Sequence, residues 1–263
     1  MKSKLGFIGF GNMAQAIIKN LLESRLVRSS DISVHDRLDE RKGLAEKWKI
    51  RWSVSNQEVA DNSKIVIIAV KPQNIDEVLD EIDAKGRIFA SICAGVTTRY
   101  IKKKLGDNIT VVRLMPNTPF LIGEGVTGAY MTGDRRWKNE VNRIFSSGSE
   151  VIWFNDESYL DRITAFSGSG PAYLFYFAEA LEESGKKLGF SDSEARRIAL
   201  GTIKGSIDLL EKTGESPGSL RKKVTSPNGT TEQAVKHLER RHFKKIFSEA
   251  VKKAYLRAKE LKR

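Results

Sequence analysis

From Lys4 to Phe154 the chain alternates short apolar runs with amphipathic stretches; the runs are LGFIGF, DISVHD, KIVIIAV, RIFASICAG, TVVRLM, GVTGAYM and EVIWF. Runs of this length read as strands, and their alternation with helical patterns is the signature of a parallel sheet with crossover helices. Residues 12–25, 74–83 and 135–147 carry apolar side chains at three-and-four spacing, which predicts helices packed on that sheet. Past about Asp156 the strand-like runs stop, and helical patterns separated by breaks such as LGFSDSEA and GESPGS continue to Arg263. The fold class expected is α/β, a doubly wound sheet over residues 1–155 followed by an all-helical domain over 156–263.

Two helical patterns in the second half bear on assembly. Ala172 to Ala178, AYLFYFA, is apolar on every face, which a helix tolerates only when surrounded by protein. In a helical domain of this size, a partner subunit is expected to cover part of it. In the closing helix Phe243, Ile246, Phe247, Ala250, Val251, Ala254, Ala258 and Leu261 form one apolar stripe, with Lys244, Lys245, Lys252, Lys253 and Arg257 off it. That reads as a core face opposite a solvated basic face, not as a helix lying on a membrane.

Composition narrows the picture further. The 263 residues carry a formal net charge of +12, with 40% hydrophobic and 30% charged residues. Such a charge attracts nucleic acid, acidic membranes and small anions alike, so by itself it does not choose. The cations are scattered along amphipathic helices among glutamates, without the aromatic clusters or zinc spacing of nucleic-acid modules, so neither nucleic acid nor membrane is an expected partner. No apolar stretch approaches the roughly 20 residues of a membrane span, and MKSKLGFIGFG has no cleavable hydrophobic region. The single cysteine, Cys93, fits a reducing, cytoplasmic compartment and cannot supply a cysteine-based metal site; no metal is expected.

The strand KLGFIGF runs into Gly9-Phe10-Gly11-Asn12-Met13-Ala14, a G-x-G-x-x-A sequence, and then into a helical pattern. Gly9 permits the tight turn, Gly11 lets a pyrophosphate approach the backbone, and Ala14 permits close packing of helix on strand. The phosphates would rest on the N-terminal amides of that helix. Asp36 follows 22 residues after Ala14 at the end of a second strand. Together these features predict a Rossmann-like dinucleotide site. Asp36 suits the 2′-hydroxyl of NAD and Arg37 the 2′-phosphate of NADP, so the pair points both ways. The loops Ala69-Val70-Lys71-Pro72 and Cys93-Ala94-Gly95 fall at the carboxyl edge of the sheet, where ligands of this fold bind. Cys93 itself reads as a small buried hydrophobe.

Two loops of the helical half have notable chemistry. Ser167-Gly168-Ser169-Gly170-Pro171-Ala172 reads as a helix start, with serine caps and an early proline. Thr225-Ser226-Pro227-Asn228-Gly229-Thr230-Thr231 gathers amides and hydroxyls at a helix N-terminus, which serves equally as a capping turn or as a carboxylate site.

The residues resemble the pyrroline-5-carboxylate reductases along essentially the whole chain: FIGFGNMA at 7–14, AVKP at 69–72, Ala-Gly-Val-Thr at 94–97, MPNTP at 115–119, FSGSGPAY at 166–173 and TSPNGTTEQAV at 225–235. The resemblance implies reduction of 1-pyrroline-5-carboxylate to L-proline by hydride from NAD(P)H, in a Rossmann domain followed by a helical dimerisation domain. It implies that Gly9, Gly11, Asn12, Met13, Asn56, Ala69, Val70, Lys71, Pro72, Ala94 and Gly95 line the cofactor; Asp36 and Arg37 join them from their place at the end of the second strand. The substrate carboxylate would lie against Ser226, Gly229 and Thr230, with the Thr231 hydroxyl at the ring nitrogen as the catalytic group and Glu157 near the substrate. The partner expected is a second copy, joined through the helical domain, with dimers able to assemble further. NADP(H) is the cofactor favoured and NAD(H) the other.

Two departures stand out: Asn228 where the family often has glycine, and Asp36 where it often has a non-acidic residue. Asparagine tolerates left-handed backbone, so the first is expected to be harmless. None of the three histidines is placed as a general acid, so Thr231 or solvent supplies the proton. Two other readings remain at this stage: a two-domain hydroxy-acid dehydrogenase, and a dinucleotide-binding regulator without turnover.

Overall fold

The computed structural model describes residues 4–84 and 86–263; Met1–Ser3 of the opening run lie outside them. Strands β1 (Leu5–Ile8), β2 (Ile32–His35), β3 (Arg51–Trp52), β4 (Ile65–Ile68), β5 (Ile88–Ser91), β6 (Thr110–Pro116), β7 (Gly125–Thr132) and β8 (Ser149–Trp153) form one sheet in the order β3-β2-β1-β4-β5-β6-β7-β8. Helices α1 (Asn12–Glu23), α2 (Lys42–Lys47), α3 (Asn56–Asp61), α4 (Ile75–Asp80), α5 (Thr98–Leu105) and α6 (Lys138–Phe145) connect the strands. Helix α7 (Tyr159–Ile163) follows the last one.

The alternation of the sequence becomes two cores. In β4, Ile65 and Ile67 join a cluster with Phe7, Ile17, Leu21 and Ile144, whereas Val66 and Ile68 join a second cluster with Val59, Ile75, Leu79 and Ile101. Successive strand residues point to opposite faces, so a strand buried on both sides must be apolar throughout. Each cluster draws on helices of one face, which makes the sheet doubly wound as expected. One connection departs from the all-parallel expectation: β6 and β7 pair antiparallel, Val112 opposite Met131 and Met115 opposite Gly128. The two are joined by a 3₁₀ turn over Thr118–Ile122 with Gly123 left-handed at φ +83°, and so short a link cannot return the chain to a parallel start. The two-residue β3 was too short to register in the pattern.

The chain divides into two compact units. The first runs to Gly170 and takes back Ala254–Arg263; the second is Pro171–Lys253. This division falls some fifteen residues beyond the change in sequence pattern, because α7 and a π-helical turn over Thr164–Gly168 pack on β6 and β7. The second unit contains α8 (Gly170–Lys187) from Pro171 on, α9 (Asp192–Thr213), α10 (Pro217–Lys223), α11 (Thr230–Arg240) and the first turns of α12 (Phe243–Glu260). Helix α9 starts from a full capping box, with Ser191 and Glu194 exchanging bonds with each other's backbone amides.

Candidate active site

Sheet order reverses between β1 and β4, which places a crevice at their carboxyl ends. Gly9 sits there at φ +91°. Its amide donates to the His35 carbonyl at 2.8 Å, and a Cβ on it would lie 2.7 Å from the Ala69 carbonyl oxygen. Glycine is therefore required twice, by backbone sign and by space. Gly11 is the N-cap of α1, and a Cβ built on it meets nothing nearer than Arg41 Nη1 at 3.7 Å. Only the far end of a flexible side chain thus borders the mouth of a helix whose first amides have no side-chain cap, as a pyrophosphate cradle needs.

The cleft, about 240 Å³, brings together Gly9, Gly11, Asp36, Arg37, Asn56, Ala69, Val70 and Lys71 of the expected residues, and adds Arg41 and Glu81. Asn12 and Met13 open α1 beside it, and Pro72 follows Lys71. Arg37 and Lys71 are exposed at the rim, whereas Asn56 is buried and donates from Nδ2 to Glu81 Oε2 at 2.7 Å. Asp36 is 7% exposed, and its carboxylate is heavily used. Oδ2 accepts from the Phe10 amide at 2.6 Å, Oδ1 accepts from the Leu38 amide at 3.0 Å, and Arg41 pairs with it. The carboxylate thus ties the glycine-rich loop to the end of β2. Sequence reasoning missed Arg41; its spacing in RLDER carries no motif, and only the fold turns it back onto Asp36 and Gly11.

Ala94 and Gly95 stand apart from that cleft, in the loop after β5. Glu157 is near them: it accepts from the Thr98 amide at 2.8 Å and the Thr98 hydroxyl at 2.9 Å, and pairs with Arg113 at 3.3 Å. Arg113 is 2% exposed and also holds the buried Asp161 at 2.8 Å. Glu157 thereby steadies the first turn of α5, and it lines a cavity with Thr97, Arg99, Tyr100, Lys103, Lys262 and Arg263. Two of the quoted segments also meet: Asn117 donates to Ser167 at 3.1 Å, and a Cβ on Gly168 would stand 2.9 Å from Met115 Cε. Cys93 is 2% exposed, and burial pushes its thiol up to about 11, so it is no nucleophile near neutral pH.

In the second unit, Ser226, Gly229, Thr230 and Thr231 share one turn leading into α11. Gly229 is the N-cap with no side-chain bond, and its amide donates to the Ser226 carbonyl at 3.1 Å. Asn228 adopts φ +61°, the left-handed backbone for which asparagine is suited. Its amide donates to Glu232, and the Lys236 ammonium, together with that bond, holds the Glu232 carboxyl below its ordinary range. The amides of Thr230 and Thr231 open an 11-residue helix and face no cap, a geometry that accepts a carboxylate.

The sheet order, the glycine cradle and the helical second unit define a dinucleotide-dependent oxidoreductase of Rossmann type. Comparison with known proteins narrows the class. Residues 157–261 match the family model for pyrroline-5-carboxylate reductase dimerisation, and residues 4–95 match NADP oxidoreductase, coenzyme F420-dependent. A pyrroline-5-carboxylate reductase of Aquifex aeolicus is 38% identical over 98% of this chain and 97% of its own. The solved structure of a pyrroline-5-carboxylate reductase from Coxiella burnetii superposes with a TM-score of 0.91 at 37% identity, covering 100% of both chains. That of Plasmodium falciparum pyrroline carboxylate reductase with NADP bound does so at 0.91 with 29% identity, over 100% of this chain and 99% of that one. The chain belongs to the pyrroline-5-carboxylate reductase family.

Proposed function

We infer that the protein reduces 1-pyrroline-5-carboxylate to L-proline with NAD(P)H, the last step of proline biosynthesis. Among the described residues, this reading is supported by the glycine cradle of the first unit and, independently, by the uncapped turn that opens α11 in the second, whose amides suit a carboxylate. When bound, the reduced dinucleotide supplies the hydride. Gly9 turns the chain so that the open amides at the Gly11 end of α1 face its pyrophosphate, and Asn56, Ala69, Val70, Lys71, Pro72, Ala94 and Gly95 border it. Ser226, Gly229 and Thr230 hold the substrate carboxylate, and Thr231 holds a proton at the ring nitrogen. Glu157 contributes through Thr98, whose amide and hydroxyl it fixes. Holding reactants in register in this way is itself a large part of such catalysis. The protein acts as a homodimer through the helical unit, and its one thiol suits the cytoplasm.

The test is loss of NADPH absorbance on adding 1-pyrroline-5-carboxylate, with proline formed in equal amount. Thr231→Ala is expected to lower kcat about a hundredfold, and Thr231→Ser to restore most of it. A folded protein that binds dinucleotide yet shows no imine-dependent oxidation would sink the assignment in favour of a regulatory role.

NADPH is the cofactor we propose as preferred. A free Asp36 carboxylate would accept the 2′-hydroxyl of NADH and repel a 2′-phosphate. Here its oxygens are already engaged by Phe10, Leu38 and Arg41, and Arg37 and Arg41 leave the rim positive. Arg41→Ala uncovers the carboxylate and removes a cation. It is expected to raise the KM for NADPH about thirtyfold and leave that for NADH within threefold. Equal effects on both cofactors would show that Arg41 serves only the loop.

A further inference from the structure

We propose that Leu261–Arg263 form a strap that positions the Ala94–Thr97 loop for the nicotinamide half of the cofactor. The inference rests on the dinucleotide reading of the cleft. In a doubly wound sheet the first strands carry one mononucleotide and the second set carries the other, so the loop after β5 belongs to the nicotinamide side.

The contact is between backbones. The Arg263 amide donates to the Gly95 carbonyl at 2.8 Å, and the Arg263 carbonyl accepts from the Thr97 amide at 3.3 Å and the Thr97 hydroxyl at 2.7 Å. Gly95 stands at φ +76°, and a Cβ on it would fall 2.5 Å from the Leu261 carbonyl oxygen. Close approach of the strap is thus a second reason for glycine here, beside any contact with a cofactor. Two side chains pin the strap. Lys262 reaches Asp161 at 3.3 Å, and Arg263 reaches Asp76 at 3.0 Å. The second pair is 43% exposed on both sides and holds little. Asp161 is 4% exposed and also bonded to Arg113, so the Lys262 anchor is the firmer one.

With the strap in place, the Gly95 carbonyl and the Thr97 amide and hydroxyl are all engaged, which holds the loop in one geometry. Without it the loop must be ordered by the cofactor itself, at the expense of affinity. At the adenosine end, the Asp36 carboxylate is bonded to Phe10, Leu38 and Arg41 and not to the strap.

Calorimetric titration with NADPH and, separately, 2′,5′-ADP separates the two ends. Removal of residues 261–263 is expected to weaken NADPH about tenfold and to leave 2′,5′-ADP within about twofold. Should the shortened protein fail to fold, Lys262→Ala is expected to show the same selective loss at about threefold. Equal weakening of both ligands, or of neither, overturns the strap. Failure of the unaltered protein to bind NADPH would overturn the dinucleotide reading first, and the strap with it.

Discussion

Gly9→Ala is expected to cost the protein both its cofactor and part of its stability, whereas Gly11→Ala costs the cofactor alone. A methyl on Gly9 meets the Ala69 carbonyl at 2.7 Å and its carbon at 2.8 Å, in a backbone conformation at φ +91°. Those are backbone atoms of the β4 terminus, which is hydrogen-bonded to Ile8 and has no room to retreat. Strain of this kind is worth about 2–4 kcal/mol, a drop in melting temperature of several degrees for a chain of this size. A methyl on Gly11 strains nothing, since φ is −79° and the nearest atom is the mobile end of Arg41 at 3.7 Å. It fills only the space a pyrophosphate needs. Thermal melts should therefore separate the variants while NADPH titration should not: each is expected to bind at least about a hundredfold more weakly. Normal binding by a folded Gly11→Ala variant would remove the pyrophosphate from this loop.

The second large effect concerns assembly. On α8, Leu174, Phe175, Tyr176 and Phe177 are 59%, 67%, 75% and 49% exposed, and on α12 Phe243, Ile246 and Phe247 are at least 43% exposed. Among the described residues of the second unit, the buried apolar side chains are Pro171, Ala195 and Ala199. A domain so poor in core cannot offset its chain entropy by itself, and each aromatic or aliphatic side chain covered contributes about 1.5–3 kcal/mol. A second copy is the cover that the dimerisation match supports. Phe175→Glu buries a charge in that interface and is expected to raise the dimer dissociation constant about a thousandfold, roughly 4 kcal/mol. Sedimentation at micromolar concentration should then give monomer with a lowered melting temperature. Val54→Glu, at an 81% exposed position in the first unit, should sediment as the unaltered protein does. An unchanged Phe175→Glu dimer would place the interface elsewhere.

Much was legible in the chain because its signals are local. Strand burial on both faces demands uninterrupted apolar runs, so IVII and IFAS announced β4 and β5. Gly9 and Gly11 declared the cradle through spacing, and TSPNG declared the turn before α11 through the small polar residues that such a turn requires. The unfilled apolar faces of α8 were visible too, since a helix apolar on all sides has to be covered.

Other features depend on which distant residues meet, and no local pattern encodes that. The antiparallel β6–β7 pair follows from a link too short for a crossover. The surroundings of Asp36 were set by the fold, which brings Phe10, Leu38 and Arg41 onto its carboxylate. Glu157 was singled out by family position, but its partners Thr98 and Arg113 lie 59 and 44 residues away. Gly95 owes its close quarters to Leu261, more than 160 residues further along the chain. By itself the sequence determined the Rossmann-type sheet, the helical second half and the polar turn before α11, because hydrophobic period and turn chemistry are properties of neighbours. Tertiary structure decided how each charged or crowded residue is used, because hydrogen bonds and steric exclusion act over a few ångströms of space, whatever the separation along the chain.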